Sequence, residues 1–166
     1  MNHPRILRAA GAGLLLAAMA NAAAAPATPY VDLVDYPTEY AQGAAFSELR
    51  YRLQADFDDI CADTICEGQF SDYQALKMRC AVSTATGTLS ECRWAFAASE
   101  LGVDPDAGKV VGEQPRWLCT LPIPAGTSVA GFFAALEGPR ALFKRLPGAQ
   151  ESVFEAVAGC LGQAGH

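Results

Sequence analysis

The sequence predicts an α+β domain in which a three-stranded antiparallel meander has one face covered by two to three helices and is stapled by disulfides. Apolar residues spaced three and four apart, which are typical of helices, occur before and after a central region. In that region apolar and polar residues alternate, which is typical of strands with one buried face. The chain has 166 residues, 12 basic and 18 acidic side chains and 51% hydrophobic residues. This composition argues against disorder and against nucleic-acid binding.

The first 25 residues have the three regions of a secretory signal peptide. Arg5 and Arg8 form a basic region, residues 9–20 form an apolar stretch, and small residues in A-x-A patterns follow. Crossing a bilayer takes about 20 apolar residues, so the stretch predicts a cleaved signal and no stable membrane anchor. We therefore expect export to the periplasm or the outside of the cell. Without residues 1–25 the chain has 10 basic and 18 acidic residues, a net charge of −8.

The remaining chain divides into a short lead-in and one domain. Residues 26–42 contain several prolines and are predicted to be extended against the domain, which spans residues 43–166. The first helix of the domain is expected over about 43–60, where every third or fourth residue is apolar. A second helix is expected to start at Thr127 or Ser128. A last helix is expected from about residue 150, with Cys160 facing the core.

Two alternating segments predict the first hairpin. The loop Ala85–Gly87 closes it, with Gly87 in the left-handed conformation that glycine adopts without strain. Counting outward from this loop places Cys80 opposite Cys92 and Met78 opposite Trp94. The residues of the first strand that are expected to face the core are Leu76, Met78, Cys80 and Val82.

A second turn leads into the third strand. Residues 104–108 carry the Asp-Pro and Gly signals of a tight turn, and the third strand is expected over Arg116–Ile123. Pairing Asp104 with Lys109 predicts two opposed pairs on the apolar face: Cys119 with Trp94, and Trp117 with Phe96. A slip of one residue would move the apolar side chains of one strand to the opposite face of the sheet. Both turns place the apolar residues on the same face, and this agreement supports the register.

The six cysteines are Cys61, Cys66, Cys80, Cys92, Cys119 and Cys160. An even number in an exported chain predicts disulfides, although six cysteines allow 15 connectivities. Cys80 can bridge to Cys92 across the hairpin. Cys61–Cys66 would then close a loop, and Cys119–Cys160 would join the sheet to the last helix. A C-x-x-C pair is absent from the sequence and the only histidine after the signal is His166, so we expect neither a metal nor another cofactor.

An acidic run is the first candidate binding surface. It contains six carboxylates with no basic residue among them: Asp56, Asp58, Asp59, Asp63, Glu67 and Asp72. The spacing does not fit a calcium-binding EF-hand, because Ile60 stands at a ligand position and Cys61 where glycine is needed. Asp59, Asp63 and Glu67 are the candidates for contact with a cationic partner. The alternatives are a looser metal site and a solvated acidic edge.

The outer face of the sheet is the second candidate. If the register holds, four basic residues share the face opposite the core: Lys77, Arg79, Arg93 and Arg116. They could bind an anionic partner or pair with the acidic run. They could equally solvate a sheet face, because antiparallel sheets commonly have one polar side.

The sequence favours binding over catalysis. With histidine only at the end of the chain, Ser-His-Asp, Cys-His and His-metal sites are not expected. The hypothesis is a small exported, disulfide-stabilised binding protein of the inhibitor or immunity type, whose partner is an unidentified protein. The alternatives are a hydrolase that uses paired carboxylates on an envelope polymer, and a metal-binding envelope protein.

Overall fold

The computed structural model describes residues 29–36, 39–60, 70 and 72–163. The predicted signal peptide, the predicted Cys61–Cys66 pair and the candidate residues Asp63 and Glu67 lie outside these ranges. The elements in chain order are β1 (Tyr30–Asp32), α1 (Glu39–Ile60), β2 (Gln74–Ser83), β3 (Leu89–Ala97), β4 (Glu100–Asp104), β5 (Lys109–Glu113), β6 (Arg116–Thr120), α2 (Val129–Ala135), a short 3₁₀ helix (Ala141–Phe143) and α3 (Val153–Leu161).

The predicted α+β class is confirmed, and its meander is part of a larger sheet. Four antiparallel strands lie in the order β1-β2-β3-β6, and β4 and β5 form a separate two-stranded sheet. Strand β1 adds the fourth strand at the β2 edge, where the main-chain N–H of Leu33 donates to the carbonyl of Cys80 at 2.8 Å. Its three residues are too few for alternation to reveal a strand. Helix α1 begins at Glu39 rather than near residue 43.

The register predicted from the two turns is confirmed in the centre of the sheet. Cys80 lies opposite Cys92 and Met78 opposite Trp94. On the other side of β3, Trp94 lies opposite Cys119 and Phe96 opposite Trp117. These residues are all buried on one face of the sheet, and this face therefore forms one side of the hydrophobic core.

Two bulges shift the pairing at the ends of β2. Ala75 pairs with Phe96 and Met78 with Trp94, so two residues of β2 lie opposite one residue of β3. Because of this bulge Ala75 is buried and Leu76 is 52% exposed. The prediction that Leu76 faces the core is therefore wrong.

The second bulge follows from the loop of the first hairpin. The N–H of Ser83 donates to the carbonyl of Thr88, so the loop is one residue longer than predicted. Gly87 has the expected left-handed conformation, with φ of +66°. Ser90 is the extra residue that restores the predicted register, because Val82 pairs with Leu89 and Ala81 with Glu91.

The helices cover the inner face of the sheet. Phe57 of α1 packs its ring 5.0 Å from that of Phe96 and 6.2 Å from that of Trp94. Strand β6 is held to α3 by a hydrogen bond of 2.9 Å from the Trp117 indole N–H to the carbonyl of Gln163. None of the helices among the described residues has the length and apolar character needed to cross a bilayer.

Two disulfides lie among the described residues. Cys80–Cys92 joins neighbouring strands, and Cys119–Cys160 joins β6 to α3 across 41 positions of sequence. Both pairs agree with the prediction. Structural disulfides are typical of oxidising compartments such as the periplasm and the extracellular space.

Candidate binding surfaces

The strands β4 and β5 form a ribbon, named here the β4–β5 ribbon, which extends the β3–β6 hairpin beyond the sheet. The hairpin register continues into the ribbon, because Ala97 lies opposite Arg116 and Asp104 opposite Lys109. The N–H of Ala98 donates to the carbonyl of Pro115 at the junction. The two halves are therefore one long hairpin, of which only the first half belongs to the four-stranded sheet.

The turn at the tip of the ribbon is stabilised by its own residues. The Asp104 carboxylate accepts hydrogen bonds of 3.0 Å from the N–H groups of Asp106 and Ala107. Gly108 closes the turn with φ of +64°, in the left-handed region that favours glycine. These are the turn signals recognised in the sequence, and they set the geometry of the turn from local residues alone.

One face of the ribbon is apolar and open to solvent. Leu101, Val103 and Val110 share this face and are 66%, 71% and 73% exposed. Gly112 lies opposite Leu101, and a Cβ atom there would come within 2.5 Å of a Leu101 methyl group. The leucine therefore lies across the backbone of β5, which widens the apolar face over both strands.

The apolar face is in phase with the outer face of the four-stranded sheet. Side chains alternate between the two faces of a strand, so Leu101 and Val103 follow the direction of Ala97. On the outer face Leu118 is a further large apolar residue, 56% exposed. The hairpin thus carries exposed apolar side chains along one side of both halves.

Arg79 and Arg93 lie directly opposite each other on the outer sheet face, as the register predicts. Each has a carboxylate partner: Arg79 contacts Asp32 at 2.7 Å, and Arg93 contacts Glu91 at 2.7 Å. Strand β1 brings Asp32 to this position. The four charges cancel, so this part of the outer face is zwitterionic rather than basic.

The same four residues border an open groove of about 420 Å³ that contains Ala81. It brings together two carboxylates, Asp32 and Glu91, as the alternative of a carboxylate hydrolase requires. However, each of these carboxylates contacts an arginine, Asp32 with Arg79 and Glu91 with Arg93. The groove therefore presents two ion pairs rather than a pair of unengaged carboxylates.

The other two predicted basic residues are exposed. Lys77 lies at the bulge of β2, and Arg116 lies opposite Ala97 at the base of the ribbon. Neither has an ion pair with any residue that the structure describes. Arg116 borders a cleft of about 250 Å³ that also contains the carboxylate of Asp72.

Asp72 links the start of β2 to the base of the ribbon. Its carboxylate accepts hydrogen bonds from the hydroxyl and the N–H of Ser99, the latter at 2.6 Å. The Ser99 hydroxyl, followed by the Ser99 N–H, lowers the pKa of Asp72 from its ordinary value. This member of the acidic run therefore has a structural partner.

Of the rest of the acidic run, the structure describes Asp56, Asp58 and Asp59, and their environments differ. The Asp56 carboxylate accepts the N–H of Leu142 at 3.0 Å and so holds the 3₁₀ helix against α1. Partial burial, and then the charge of Asp59, raise the pKa of Asp58. Asp59 itself is exposed in the last turn of α1. In the described part of the chain, no three His, Cys, Asp or Glu residues lie together as metal ligands.

Sequence reasoning missed two features of these surfaces. It did not place Asp32 beside Arg79, because β1 was not predicted as a strand, and it did not pair Arg93 with Glu91, two residues away on the same face of β3. It recognised the turn at residues 104–108 but not that the strands on both sides of it leave the sheet. The exposed Leu101 and Val103 alternate in the sequence as buried residues would, so no local pattern distinguishes the two cases.

Comparisons with known proteins do not assign a family. The chain matches no protein-family model, no curated protein and no solved structure. The functional proposal therefore rests on the chemistry of the surfaces described above.

Proposed function

We propose that this protein is an exported binding domain of the inhibitor or immunity type, which acts by docking onto another protein. The observation that carries the proposal is the β4–β5 ribbon, with three large apolar side chains in solvent on a frame held by two disulfides. Soluble monomers rarely expose contiguous apolar surface without using it for an interaction. A hairpin that extends beyond the sheet can also reach into a concave surface.

The rigidity of the frame supports a binding role. Association is weakened by the entropy lost when flexible segments become ordered. Here the register of the ribbon is already set by the hydrogen-bonded turn at its tip and by the paired strands β3 and β6 at its base. The hairpin therefore enters a complex with its backbone already in the bound arrangement.

The sequence-predicted charged residues complete the proposed contact surface. Arg116 lies at the base of the ribbon, and Arg79, Arg93 and Lys77 are candidates on the outer sheet face. Asp59, with Asp63 and Glu67 beyond the described residues, is the candidate for a separate cationic contact. Charged groups at the edge of an interface mainly set the association rate and the choice of partner.

Site-specific photo-crosslinking in the producing cell tests this proposal. A photoreactive amino acid is placed at Val103 in the full-length chain, and a matched control carries it at Glu151, which is exposed just before α3. We expect a discrete protein adduct from position 103 only, and we expect excess unlabelled wild type to compete for it. An excess of the Val103→Asp variant should not compete.

Two results would contradict the binding role. One is the absence of any adduct at position 103 under conditions in which the chain is folded and oxidised. The other is the same set of adducts from positions 103 and 151, which would indicate random collisions. Several free thiols in protein isolated from its native compartment would contradict the export and disulfide part of the proposal.

A further inference from the structure

We infer that the edge strand β6 takes up a further strand, an extended segment of the partner protein that carries an apolar side chain and a carboxylate two positions apart. The inference rests on the binding role proposed above and adds where the partner pairs and what chemistry it carries. It follows from the hydrogen-bond pattern of β6 and from the side chains on its outer face.

The main chain of β6 bonds to β3 through every second residue. The N–H of Leu121 donates to the carbonyl of Cys92 at 2.9 Å, and the N–H of Ala98 donates to the carbonyl of Pro115. Hydrogen-bonded and non-hydrogen-bonded pairs alternate along an antiparallel ladder, so the odd-numbered residues of β6 face β3. The main-chain N–H and C=O groups that point away from β3 are those of Arg116, Leu118 and Thr120.

These outward groups lie at an open edge of the sheet. Strand β6 is the last in the order β1-β2-β3-β6, and no other main-chain group of the described residues bonds to them. Such an edge is a template for pairing with another chain. The opposite edge is formed by β1, which has three residues, whereas the edge of β6 continues in one register through β5 as far as Lys109. The edge of β6 is therefore the longer template.

Strand β6 is held in place from its inner face. The Trp117 indole N–H donates to the carbonyl of Gln163, and Cys119 is bonded to Cys160 of α3. An added strand thus meets an edge that is already extended, so less conformational entropy is lost on association. Because these anchors are inner-face side chains, the outer face of β6 stays open to a partner.

Two outer-face side chains select the chemistry of the added strand. Leu118 is 56% exposed, and the exposed Arg116 makes no ion pair with any residue that the structure describes. The carboxylate of Asp72 in the same cleft is already bonded to Ser99. Opposed residues on one face of a sheet lie about 4.5–5.5 Å apart. An apolar residue beside Leu118 and a carboxylate beside Arg116 therefore match this edge.

A second copy of the chain is a poorer occupant of the same edge. Two copies paired through β5 and β6 would place the outer-face residues of one edge beside those of the other. None of these residues is a carboxylate, so both Arg116 side chains would lack a partner. The residues are Val110, Gly112, Gln114, Arg116, Leu118 and Thr120.

Three matched peptides test the inference on the oxidised protein isolated from the exporting cell. The first is a nine-residue peptide of threonines with a leucine and a glutamate two positions apart. The second has glutamine in place of the glutamate, and the third is the first with N-methyl groups on alternate residues, the leucine and the glutamate included. The first peptide should slow amide hydrogen exchange at Arg116, Leu118 and Thr120, whose exchange is fast in the free protein. Trp117 and Cys119, which bond to β3, should be protected throughout.

The other two peptides separate main-chain pairing from side-chain contact. The N-methylated peptide should give no protection, because it keeps the side chains but lacks the N–H groups that pair with β6. The glutamine peptide should bind several-fold more weakly than the glutamate peptide. Arg116→Gln should remove this difference, whereas the control Lys77→Gln, which changes another exposed basic residue, should preserve it.

Four results would overturn the inference. Slow exchange at Arg116, Leu118 and Thr120 in the free protein would show that the edge is already covered. Absence of protection by the first peptide at millimolar concentration, or equal protection by the N-methylated peptide, would exclude strand addition. Equal binding of the glutamate and glutamine peptides would show that Arg116 does not select the partner. Reversible dimerisation that protects the same amides would assign the edge to a second copy. Any of these results together with a specific crosslink at position 103 would remove the added strand and leave the binding role standing.

Discussion

The two halves of the long hairpin share one register but have opposite environments. In the first half, Phe96 and Trp117 are opposed and buried beneath the helices. In the second half, Val103 and Val110 are opposed in the same register and lie in solvent. The backbone pairing is thus the same in both halves, but the opposed apolar pair lies on the inner face in the first half and on the outer face in the second. Whether an apolar side chain is buried depends on which face carries it and on what covers that face.

The stabilising cross-links are also divided between the two halves. Each of the two disulfides in the described residues has one end in the covered half, at Cys92 or Cys119. The ribbon has only its turn and its ladder of hydrogen bonds. An isolated two-stranded ribbon is marginally stable in water, so the covered half has to hold the other half in place.

The largest difference is expected between core and ribbon truncations. Phe57→Ala removes a ring that packs on both Trp94 and Phe96 and should lower the free energy of unfolding by about 3–5 kcal/mol. Val103→Ala on the ribbon should change it by less than about 0.5 kcal/mol, because Val103 is already in solvent. Urea unfolding followed by tryptophan fluorescence measures both. Similar losses would mean that the ribbon is covered in the intact molecule.

Removal of the disulfides ranks next. Cys119→Ala with Cys160→Ala should destabilise the protein by about 2–4 kcal/mol. Cys80→Ala with Cys92→Ala should have an effect about 1 kcal/mol smaller, because loop-closure entropy grows with loop length and the separations are 41 and 12 residues. Thermal unfolding of the two double variants tests this order. The reverse order would show that sheet geometry matters more than chain entropy.

Gly87 and Gly108, which are left-handed glycines in the two hairpin turns, provide a matched pair of turn substitutions. Gly108→Ala has open space around the new Cβ and should cost about 1–2 kcal/mol in local strain. We expect the strain to appear as faster amide hydrogen exchange in the ribbon, with little change in the free energy of global unfolding. Gly87→Ala places its Cβ 2.7 Å from the Tyr36 hydroxyl and should lower the global stability further. The additional loss of stability caused by Gly87→Ala should disappear in a Tyr36→Phe background. If the additional loss persists there, the steric explanation is contradicted.

The smallest effects are expected at the side-chain caps. Ser152 caps α3, and its N–H and hydroxyl donate to Glu155. Ser152→Ala should destabilise the protein by about 1 kcal/mol. Asp104→Ala should destabilise only the ribbon, because Asp104 caps the turn at its tip. The free energy of global unfolding reports the change in α3, and amide hydrogen exchange reports the change in the ribbon.

The cap of α3 also predicts a pH dependence. The N–H of Ser152, then its hydroxyl and the charge of Arg145, lower the pKa of Glu155 in the folded state. This carboxylate therefore stabilises the fold above its unfolded pKa, and the contribution is lost as the pH falls through the folded pKa. NMR titration of Ser152→Ala should show the pKa of Glu155 moving up toward its ordinary value. An unchanged pKa would show that the hydroxyl contributes little and that the main-chain N–H of residue 152 and the charge of Arg145 set it.

The surfaces were less predictable than the core. Each of the two turns fixes a local register, so the pairs Cys80 with Cys92 and Trp94 with Cys119 followed from counting along the sequence. The ion pair of Arg79 with Asp32 did not follow from such counting, because the two residues are 47 positions apart and meet only when β1 joins the sheet edge. Leu76 was misplaced because a bulge changes which side a residue faces without a signal in composition.

The sequence alone determined the register in the centre of the sheet and the apolar faces of α1 and β3, because turns and periodic patterns act between near neighbours. It also offered Cys80–Cys92 and Cys119–Cys160 as candidate disulfides, which the structure contains. Only the tertiary structure decided which apolar residues were covered. Helix α1 packs on the hairpin at Phe96 through Phe57, and the ribbon begins at Glu100. Burial depends on a second layer that arrives from elsewhere in the chain, and this is why alternating apolar residues form a core on the inner face of the first half and lie in solvent on the outer face of the second.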